Sequence, residues 1–265
     1  MPARFKARLI SVRERGCASE LILEAPPQFG GEPGQFVHVC CGTEAGRILR
    51  RPFSLYDAGE GFFSLLVKKA GEGSRWLAER KAGGSIDCMG PLGRAFSLPV
   101  LPGNIILVAG GAGITPLRFL AKRMRERHMD AQVLWGMERG GDYADLPDSL
   151  ACEMRLQISS RDGSRGFKGD VLELYRTLSP TSTDAVYACG PKGMLADLAE
   201  ILVGKGVLNF QLSIEERMAC GLGACKGCVV PGSAQNGGYL TVCRDGPVFD
   251  GGELDWKRIN ESTPR

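Results

Sequence analysis

The sequence predicts a multi-domain protein with three parts: an antiparallel β-barrel over residues 1–98, a doubly wound parallel α/β sheet over residues 99–210, and a small cysteine-rich domain over residues 211–265. Three observations carry this prediction. Short alternating apolar runs fill the first part, and strand, glycine loop and helix follow one another repeatedly in the second. In the third part, Cys220, Cys225 and Cys228 stand close together among glycines.

The composition excludes several classes of protein. The formal net charge is only +3, from 33 basic and 30 acidic side chains, which gives no sign of a nucleic-acid-binding surface. The N-terminus lacks the apolar core of a signal peptide, and nowhere do ~18 apolar residues run together to cross a membrane. We therefore expect a soluble cytoplasmic protein. Thiols stay reduced in that compartment, so ten cysteines indicate a metal site rather than a disulfide framework.

The first part reads as strands separated by turns. Apolar residues alternate or run together over strand lengths in "ARLISVRE", "SELILEA", "QFVHVCC" and "GFFSLLVKK". Turn-forming clusters such as "PPQFGGEPG" and "DAGEG" lie between them, and no long helical pattern interrupts the series. This pattern is typical of an antiparallel barrel or sandwich. The proline-spaced "SLPVLPGN" at residues 97–104 then predicts a linker.

The second part begins with "NIILVAGGAGITPLRFLAKRMRERH", a buried strand, a glycine loop and a helix. Thr115 and Pro116 suit the N-cap and the first helical position. A parallel doubly wound sheet is predicted by further strands at "AQVLWGM" and "RLQISS" and by a repeat of strand, loop and helix in "AVYACGPKGMLADLAEILVGKG". The loop "AGGAGITPL" departs from G-x-G-x-x-G, but it still places backbone amides at a helix N-terminus, where anions bind.

The cysteines of the third part have the spacing C-x4-C-x2-C, and Cys243 follows later. This is the plant-type spacing for a [2Fe–2S] cluster held by four thiolates. The glycines between the cysteines allow the backbone to direct N–H groups at the sulfurs. A four-cysteine zinc site is the alternative, but zinc sites usually contain two C-x2–4-C knuckles, and Cys243 has no such neighbour. The spacing favours iron.

Three weaker motifs gain meaning only from their order. "RRPFSLYD" at residues 50–57 offers arginine to a phosphate, and Gly73 and Ser74 in "KKAGEGSRWL" are predicted to open a helix whose amides receive a pyrophosphate. "YACGPKGML" places Cys189 at the C-terminal end of a strand, where open α/β sheets bind ligands. Taken alone, each has an ordinary explanation, a solvated turn or a small buried side chain.

Together, Arg-x-Phe-Ser, Gly-Glu-Gly-Ser, Gly-Gly-x-Gly-x-Thr-Pro and Cys-Gly-Pro resemble the ferredoxin–NADP reductase superfamily over about the first 205 residues. With "MACGLGACKGC" and "VCRDGPVFDGGELDW" added, nearly the whole chain resembles the electron-transfer subunits of NAD-dependent dihydroorotate dehydrogenases. The resemblance implies a barrel that binds FAD, a sheet that binds a nicotinamide nucleotide, and a [2Fe–2S] domain.

The resemblance also implies roles for individual residues. Arg51 and Ser54 should contact FAD, with Phe53 beside its ring system, and Cys189 is the candidate catalytic residue near the nicotinamide. The expected FAD contacts are Arg51, Pro52, Phe53, Ser54, Val67, Lys68, Gly73 and Ser74. The expected nucleotide contacts are Gly110, Gly111, Gly113, Thr115, Glu138, Cys189, Gly190 and Pro191. The expected iron ligands are Cys220, Cys225, Cys228 and Cys243.

The mechanism implied by the resemblance is a relay in pyrimidine biosynthesis. A partner subunit oxidises dihydroorotate at its own FMN, and electrons cross the [2Fe–2S] centre to FAD and then reach NAD+. The family also implies a heterotetramer of two such chains with two catalytic ones. Two alternatives remain open: an NAD(P)H-dependent reductase that serves ferredoxin or another acceptor, and a redox-sensing module without turnover.

Two features bear on the choice between NAD and NADP. Glu138 follows the "QVLWGM" strand, where a carboxylate accepts hydrogen bonds from the adenosine ribose and favours NAD. Ser160 and Arg161, with Arg165 nearby, follow a later strand and offer a binding site for the 2′-phosphate of NADP. We expect NAD, with NADP as the alternative.

Overall fold

A computed structural model describes residues 3–42, 49–99 and 103–262. Within these ranges, the first part of the chain is a closed antiparallel barrel of six strands in the order β1-β2-β5-β4-β3-β6. The strands are β1 (Ala3–Arg15), β2 (Ala18–Glu24), β3 (Phe36–Val39), β4 (Arg51–Gly59), β5 (Phe62–Lys68) and β6 (Ser85–Leu92). A short helix, α1 (Glu72–Ala78), follows β5. The predicted barrel is confirmed.

Alternation of buried and exposed side chains explains why these segments close into a barrel. In β6, every second residue from Ile86 to Leu92 is buried. Phe5, Phe29 and Phe63 form an aromatic cluster, in which the rings of Phe29 and Phe63 stack with centroids 4.8 Å apart. Among the described residues, each of the six barrel strands is therefore hydrogen-bonded to a neighbouring strand on both sides, and closure leaves none of them as an edge strand.

The second sheet has seven strands in the order β10-β9-β8-β7-β11-β12-β15 within the described ranges. They are β7 (Ile105–Gly110), β8 (Ala131–Met137), β9 (Arg155–Ser160), β10 (Phe167–Lys168), β11 (Ala185–Cys189), β12 (Phe210–Ser213) and β15 (Val248–Asp250). All pairs are parallel except β12 with β15. The strand order reverses between β7 and β11, and open α/β sheets bind ligands at such a point.

Helices cover both faces of this sheet, which confirms the doubly wound arrangement. A 3₁₀ turn (Gly111–Gly113) leads into α2 (Ile114–Glu126), which shares one apolar core with α3 (Leu146–Ala151). The other face packs against α4 (Val171–Thr177) and α5 (Lys192–Gly204). Each face therefore has its own buried core, as the near-continuous apolar strands require.

The third part contains a hairpin at the predicted "GSAQNGGY" turn, formed by β13 (Val229–Pro231) and β14 (Tyr239–Thr241). Strand β15 then joins the large sheet beside β12, and the helix α6 (Trp256–Glu261) packs against α5. The domain limits at 98/99 and 210/211 stay predictions, and β15 ties the last part to the sheet before it. Of the predicted linker at 97–104, residues 100–102 lie outside the described residues.

Ion pairs fix the barrel against the sheet domain. Asp57, on β4, accepts from Arg118 at 2.7 Å and from Lys122 at 2.8 Å, and both cations belong to α2. Arg118 also donates to Glu153 at 3.0 Å, and its guanidinium lies over the ring of Tyr56. The side chains of Asp57 and Arg118 are only 11% and 14% exposed, so this contact is far less screened by solvent than a surface ion pair.

In the described part of the chain, no helix has the length and apolar character needed to cross a membrane.

Candidate functional site

A cavity of about 690 Å³ lies between the barrel and the end of β12. Barrel strands β4 and β5 and helix α1 supply one wall, and the segment after β12 supplies another. The structure brings many of the predicted FAD contacts together here: Arg51, Pro52, Phe53, Ser54, Lys68, Gly73 and Ser74. Thr115, predicted as a nucleotide contact, also lines this cavity.

The two neighbouring arginines of the "RRPFS" motif have different environments. Arg50 donates to the carboxylate of Asp87 at 2.8 Å and to its carbonyl oxygen at 3.0 Å, so its guanidinium holds the barrel together. Arg51 lines the cavity and is exposed, with one nitrogen donating to the carbonyl of Leu49 at 2.9 Å. Arg51 is therefore the member of the pair that presents a positive charge to an anionic ligand.

Ser74 organises the turn before α1. Its hydroxyl accepts from the amides of Ala70 and Gly71, at 3.0 and 2.9 Å, and donates to the carbonyl of Gly71. Gly73 lets the helix approach the barrel closely, because an added β-carbon would lie 3.3 Å from that of Cys41 and 3.5 Å from Cγ of Arg51. A direct contact between Ser74 and a phosphate stays a prediction.

A second, smaller cavity of about 280 Å³ opens where the strand order reverses. Four predicted nucleotide contacts line it: Gly110, Gly111, Glu138 and Pro191. Lys68 lines both this cavity and the larger one, so the two spaces adjoin at that side chain. Arg161, named above as a candidate for the 2′-phosphate, lines it as well, and the structure adds residues that had no predicted role: Met137, Asp142, Tyr143, Asp170 and Met194.

Three predicted contacts have other surroundings. The side chain of Val67 is fully buried in the barrel core. Gly113 packs against the end of β11, where an added β-carbon would overlap the carbonyl group of Cys189. Gly190 packs against Gly110, with 3.0 Å between an added β-carbon and the Gly110 Cα. These glycines bring α2 and two strand ends together, so they shape the site through backbone packing.

Cys189 is buried behind the site, near the exposed Glu215 that follows β12. Cys189 is 1% exposed, and burial together with the carboxylate of Glu215 raises the pKa of the thiol well above its usual range. Glu215 lines the larger cavity and is exposed there. Desolvation by the surrounding protein raises the pKa of Glu215, although Lys68 opposes the shift. Cys189 is therefore a neutral thiol at pH 7.

Backbone amides surround the four predicted iron ligands. The amides of Leu222 and Cys225 donate to the Cys220 sulfur at 3.4 Å, and Gly227 donates to Cys225 at 3.4 Å. Gly223 donates to the Cys243 sulfur at 3.0 Å, and Cys243 donates to Cys228 at 3.4 Å. Gly221 and Gly223 adopt φ values of 72° and 79°, which glycine alone adopts readily. The loop is therefore built to direct donors at thiolate sulfurs.

The sulfurs fall into two neighbouring pairs, Cys220 with Cys225 and Cys228 with Cys243. Burial opposes ionisation of Cys220, but amide and thiol hydrogen bonds lower its pKa to about 6; burial and Cys228 raise the pKa of Cys243 to about 12. Two pairs of thiolates fit a cluster of two irons.

Comparison with known proteins decides the family. Residues 215–255 match the family model of the iron–sulfur cluster binding domain of dihydroorotate dehydrogenase B, and residues 107–200 match that of an oxidoreductase NAD-binding domain. The dihydroorotate dehydrogenase B (NAD(+)) electron transfer subunit of Geobacillus kaustophilus is 39% identical over 229 residues, which span 84% of this chain and 86% of that relative. The chain belongs to this family of electron transfer subunits.

Other relatives extend the match over almost the full length. The electron transfer subunit of Caldanaerobacter subterraneus is 36% identical over 251 residues, covering 93% of this chain and 96% of its own. Among solved structures, an NADH-dependent reduced ferredoxin-NADP oxidoreductase has a TM-score of 0.83 at 29% identity, and the alignment covers 96% of this chain and 91% of that one. The predicted family is confirmed.

Proposed function

We propose that this electron transfer subunit takes electrons from a separate dihydroorotate-oxidising subunit and delivers them to NAD+. The observation that carries the proposal is the adjacency of three sites: two cavities that meet at Lys68, and a cysteine loop packed on the same barrel. When bound, FAD and a [2Fe–2S] cluster supply the exchange between one-electron and two-electron transfer. The side chains of this chain bind, orient and tune those groups.

In the larger cavity, the barrel holds the flavin. Arg51 supplies positive charge for its phosphates, because guanidinium binds phosphate through charge-assisted hydrogen bonds. Phe53 and Ser54 of β4 and Phe36 of the neighbouring β3 present an apolar surface and one hydroxyl to a flat ring system. Glu215 lines this cavity, and Lys68 lines both cavities where they adjoin. These two side chains set the charge of the protein surface beside the flavin.

In the smaller cavity, the backbone of Gly110 and Gly111, in the turn that leads into α2, receives the nucleotide phosphates. Glu138 accepts hydrogen bonds from the ribose, which favours NAD. The cations that would bind a 2′-phosphate are engaged: Arg161 lies 3.5 Å from Glu138, and Arg165 pairs with Asp148. The binding site of this subunit is therefore suited to NAD rather than NADP.

The partner is an FMN-containing catalytic subunit, in a heterotetramer of two chains of each kind in the cytoplasm. Electrons enter at the cysteine loop, where Cys225 is exposed and Leu222 presents an apolar side chain that is 49% exposed. An apolar residue beside a redox centre suits docking against another protein, since it excludes water from the contact. The description of the relatives as electron transfer subunits supports a catalytic partner.

The test begins with anaerobic reconstitution of the full chain with iron, sulfide and FAD. We expect about two irons and one FAD per chain, flavin absorbance that bleaches on addition of NADH, and NAD+ reduction by dihydroorotate only when the FMN subunit is present. Zinc in place of iron, or a flavin that NADH leaves oxidised, would refute the relay.

A second candidate is supported by the solved structure at 29% identity, an NADH-dependent reduced ferredoxin-NADP oxidoreductase. This chain would then exchange electrons with ferredoxin and need no dihydroorotate-oxidising partner. NADH–dye turnover is expected in both cases and cannot separate them. Co-purification with an FMN protein supports the dihydroorotate function, whereas rapid ferredoxin reduction by the isolated chain supports the second.

A further inference from the structure

His38 is buried where the barrel meets the cysteine loop, and the function described so far gives it no role. It lies on β3, its exposure is 0%, and neither ring nitrogen has a hydrogen-bond partner within the described residues. Buried polar atoms in folded proteins are almost always satisfied. A side chain with two unsatisfied nitrogens in a fixed position therefore points to a missing acceptor.

The ring of His38 lies directly against the cysteine loop. An added β-carbon at Gly221 would lie 2.7 Å from the Nδ1 atom of His38 and 3.0 Å from Cε1. Gly221 follows Cys220, one of the predicted iron ligands, and its φ of 72° turns the loop at this point. Glycine is needed here for two reasons, because both the backbone conformation and the approach of the ring exclude a side chain.

Two neighbours of His38 belong to the wall of the larger cavity. In the β3–β4 ladder, His38 is opposite Pro52, which lines that cavity. The ring of Phe36 lines the same cavity and contacts the imidazole edge-on, with the centroids 6.0 Å apart. His38 therefore joins the barrel strand beside the flavin cavity to the loop that carries the iron ligands.

The imidazole is neutral in this environment. Burial, with smaller contributions from Arg50 and Arg51, lowers the pKa of His38 to about 4. A neutral imidazole carries one N–H donor and one acceptor nitrogen. A negatively charged iron–sulfur centre would accept a hydrogen bond from this N–H group.

We propose that His38 is a positioning residue for the iron–sulfur cluster, donating a ring N–H hydrogen bond to a sulfur at the Cys220 end of the loop. This inference rests on the proposed cluster and adds a side-chain donor to the amides already described. Hydrogen bonds to cluster sulfurs stabilise the more negative, reduced form and raise the reduction potential. The donor also ties the loop to β3.

The test compares three full-length, reconstituted variants. His38→Phe keeps a ring of similar shape without a donor, and His38→Asn restores an N–H near the Nδ1 position. His128→Asn is the matched control, because His128 is the other histidine of the sequence and is exposed at the end of α2. Iron and flavin content are measured first, and the cluster is then titrated with redox dyes and followed by EPR.

We expect His38→Phe to retain iron and FAD but to lower the midpoint potential, so that the reduced-to-oxidised ratio at a fixed potential falls about tenfold, or ~59 mV for one electron. His38→Asn should recover most of this change, and His128→Asn should match the wild type. An unchanged potential and EPR spectrum in His38→Phe would overturn the proposal.

If His38→Phe fails to bind iron, His38→Asn decides the question. An Asn variant with the wild-type iron content and potential supports the N–H donor, and one that also lacks iron overturns it. Failure of the proposed function is a separate result. It would appear in the wild type, as a chain that holds no iron or that does not couple dihydroorotate oxidation to NAD+ reduction with the FMN subunit.

Discussion

Gly113 offers the sharpest test of how the site is assembled, through the substitution Gly113→Ala. Its φ of −60° and ψ of −12° are helical, so alanine would fit the backbone conformation without strain. The structure has no room, however, for the methyl group that alanine would add at this position. An added β-carbon would overlap the carbonyl group of Cys189 and lie 2.9 Å from the amide nitrogen of Gly190. All of these neighbours are backbone atoms, which cannot rotate away as a side chain would.

The magnitude follows from that geometry. Ordinary carbon contacts need about 3.5–4.0 Å, so the start of α2 must move from the end of β11 by on the order of 1 Å. Overpacking of this kind costs about 1–3 kcal/mol, and a clash between two backbones belongs at the upper end. We expect Gly113→Ala to lower the free energy of unfolding by about 3 kcal/mol. The same shift should weaken nucleotide binding, because the glycine turn that leads into α2 lines the smaller cavity.

Urea unfolding of the full chain, followed by tryptophan fluorescence, measures the loss, and an NADH titration of the flavin measures the affinity. The matched control is Gly193→Ala in α5, where an added β-carbon meets nothing within 4 Å. That variant should gain about 0.5–1 kcal/mol, because alanine is a better helix former than glycine. The reasoning would be refuted if Gly113→Ala unfolded at the same urea concentration as the wild type.

Four further predictions concern other parts of the chain. Cys225→Ser should lose nearly all the iron while FAD content and NADH–dye turnover remain, and concurrent loss of FAD would show that the loop is needed for the barrel. Glu138→Gln should raise the NADPH-to-NADH ratio of kcat/KM about tenfold, or 1.4 kcal/mol, whereas an unchanged ratio would remove Glu138 from nucleotide selection. Asp57→Asn should cost about 3 kcal/mol in urea unfolding, because it leaves two partly buried cations without this carboxylate; a loss below 1 kcal/mol would contradict it. The protein around Glu215 raises the pKa of its carboxyl, so the stabilisation linked to this group is present below the unfolded pKa of about 4.3 and lost as pH rises through the folded value. Glu215→Gln should therefore be more stable than the wild-type apoprotein at pH 8 and equal to it near pH 4, and a constant difference at both pH values would contradict the assignment.

The parts of the site that could be predicted are those whose residues are close in sequence. Cys220, Cys225 and Cys228 lie within one loop, so their spacing alone predicts a shared metal site. The strand, glycine loop and helix around Gly111 is local as well, and its position in the site follows from the strand order. The family resemblance then supplied the connection between these local motifs.

The parts that could not be predicted depend on the fold. Glu215 reaches the larger cavity only because β12 ends beside the barrel, and Tyr143 reaches the smaller one from a loop without any motif. His38 gave no signal in the sequence, since it lies in an ordinary strand pattern. Gly113 was expected at a phosphate, and packs against β11 instead, because sequence does not distinguish a glycine needed for a ligand from one needed for a neighbouring strand.

The antiparallel pairing of β12 with β15 has a consequence for how fast this protein works. Residues 214–247, which include the cysteine loop and its hairpin, connect β12 to β15, and these two strands are neighbours in one sheet. A carrier domain on a flexible tether must find its docking position by diffusion, and its turnover slows in viscous solvent. Here the segment that carries the cysteine loop is anchored at both ends, so no such search precedes electron transfer within the chain. Glycerol or sucrose should slow the meeting with external partners and leave the internal step unchanged.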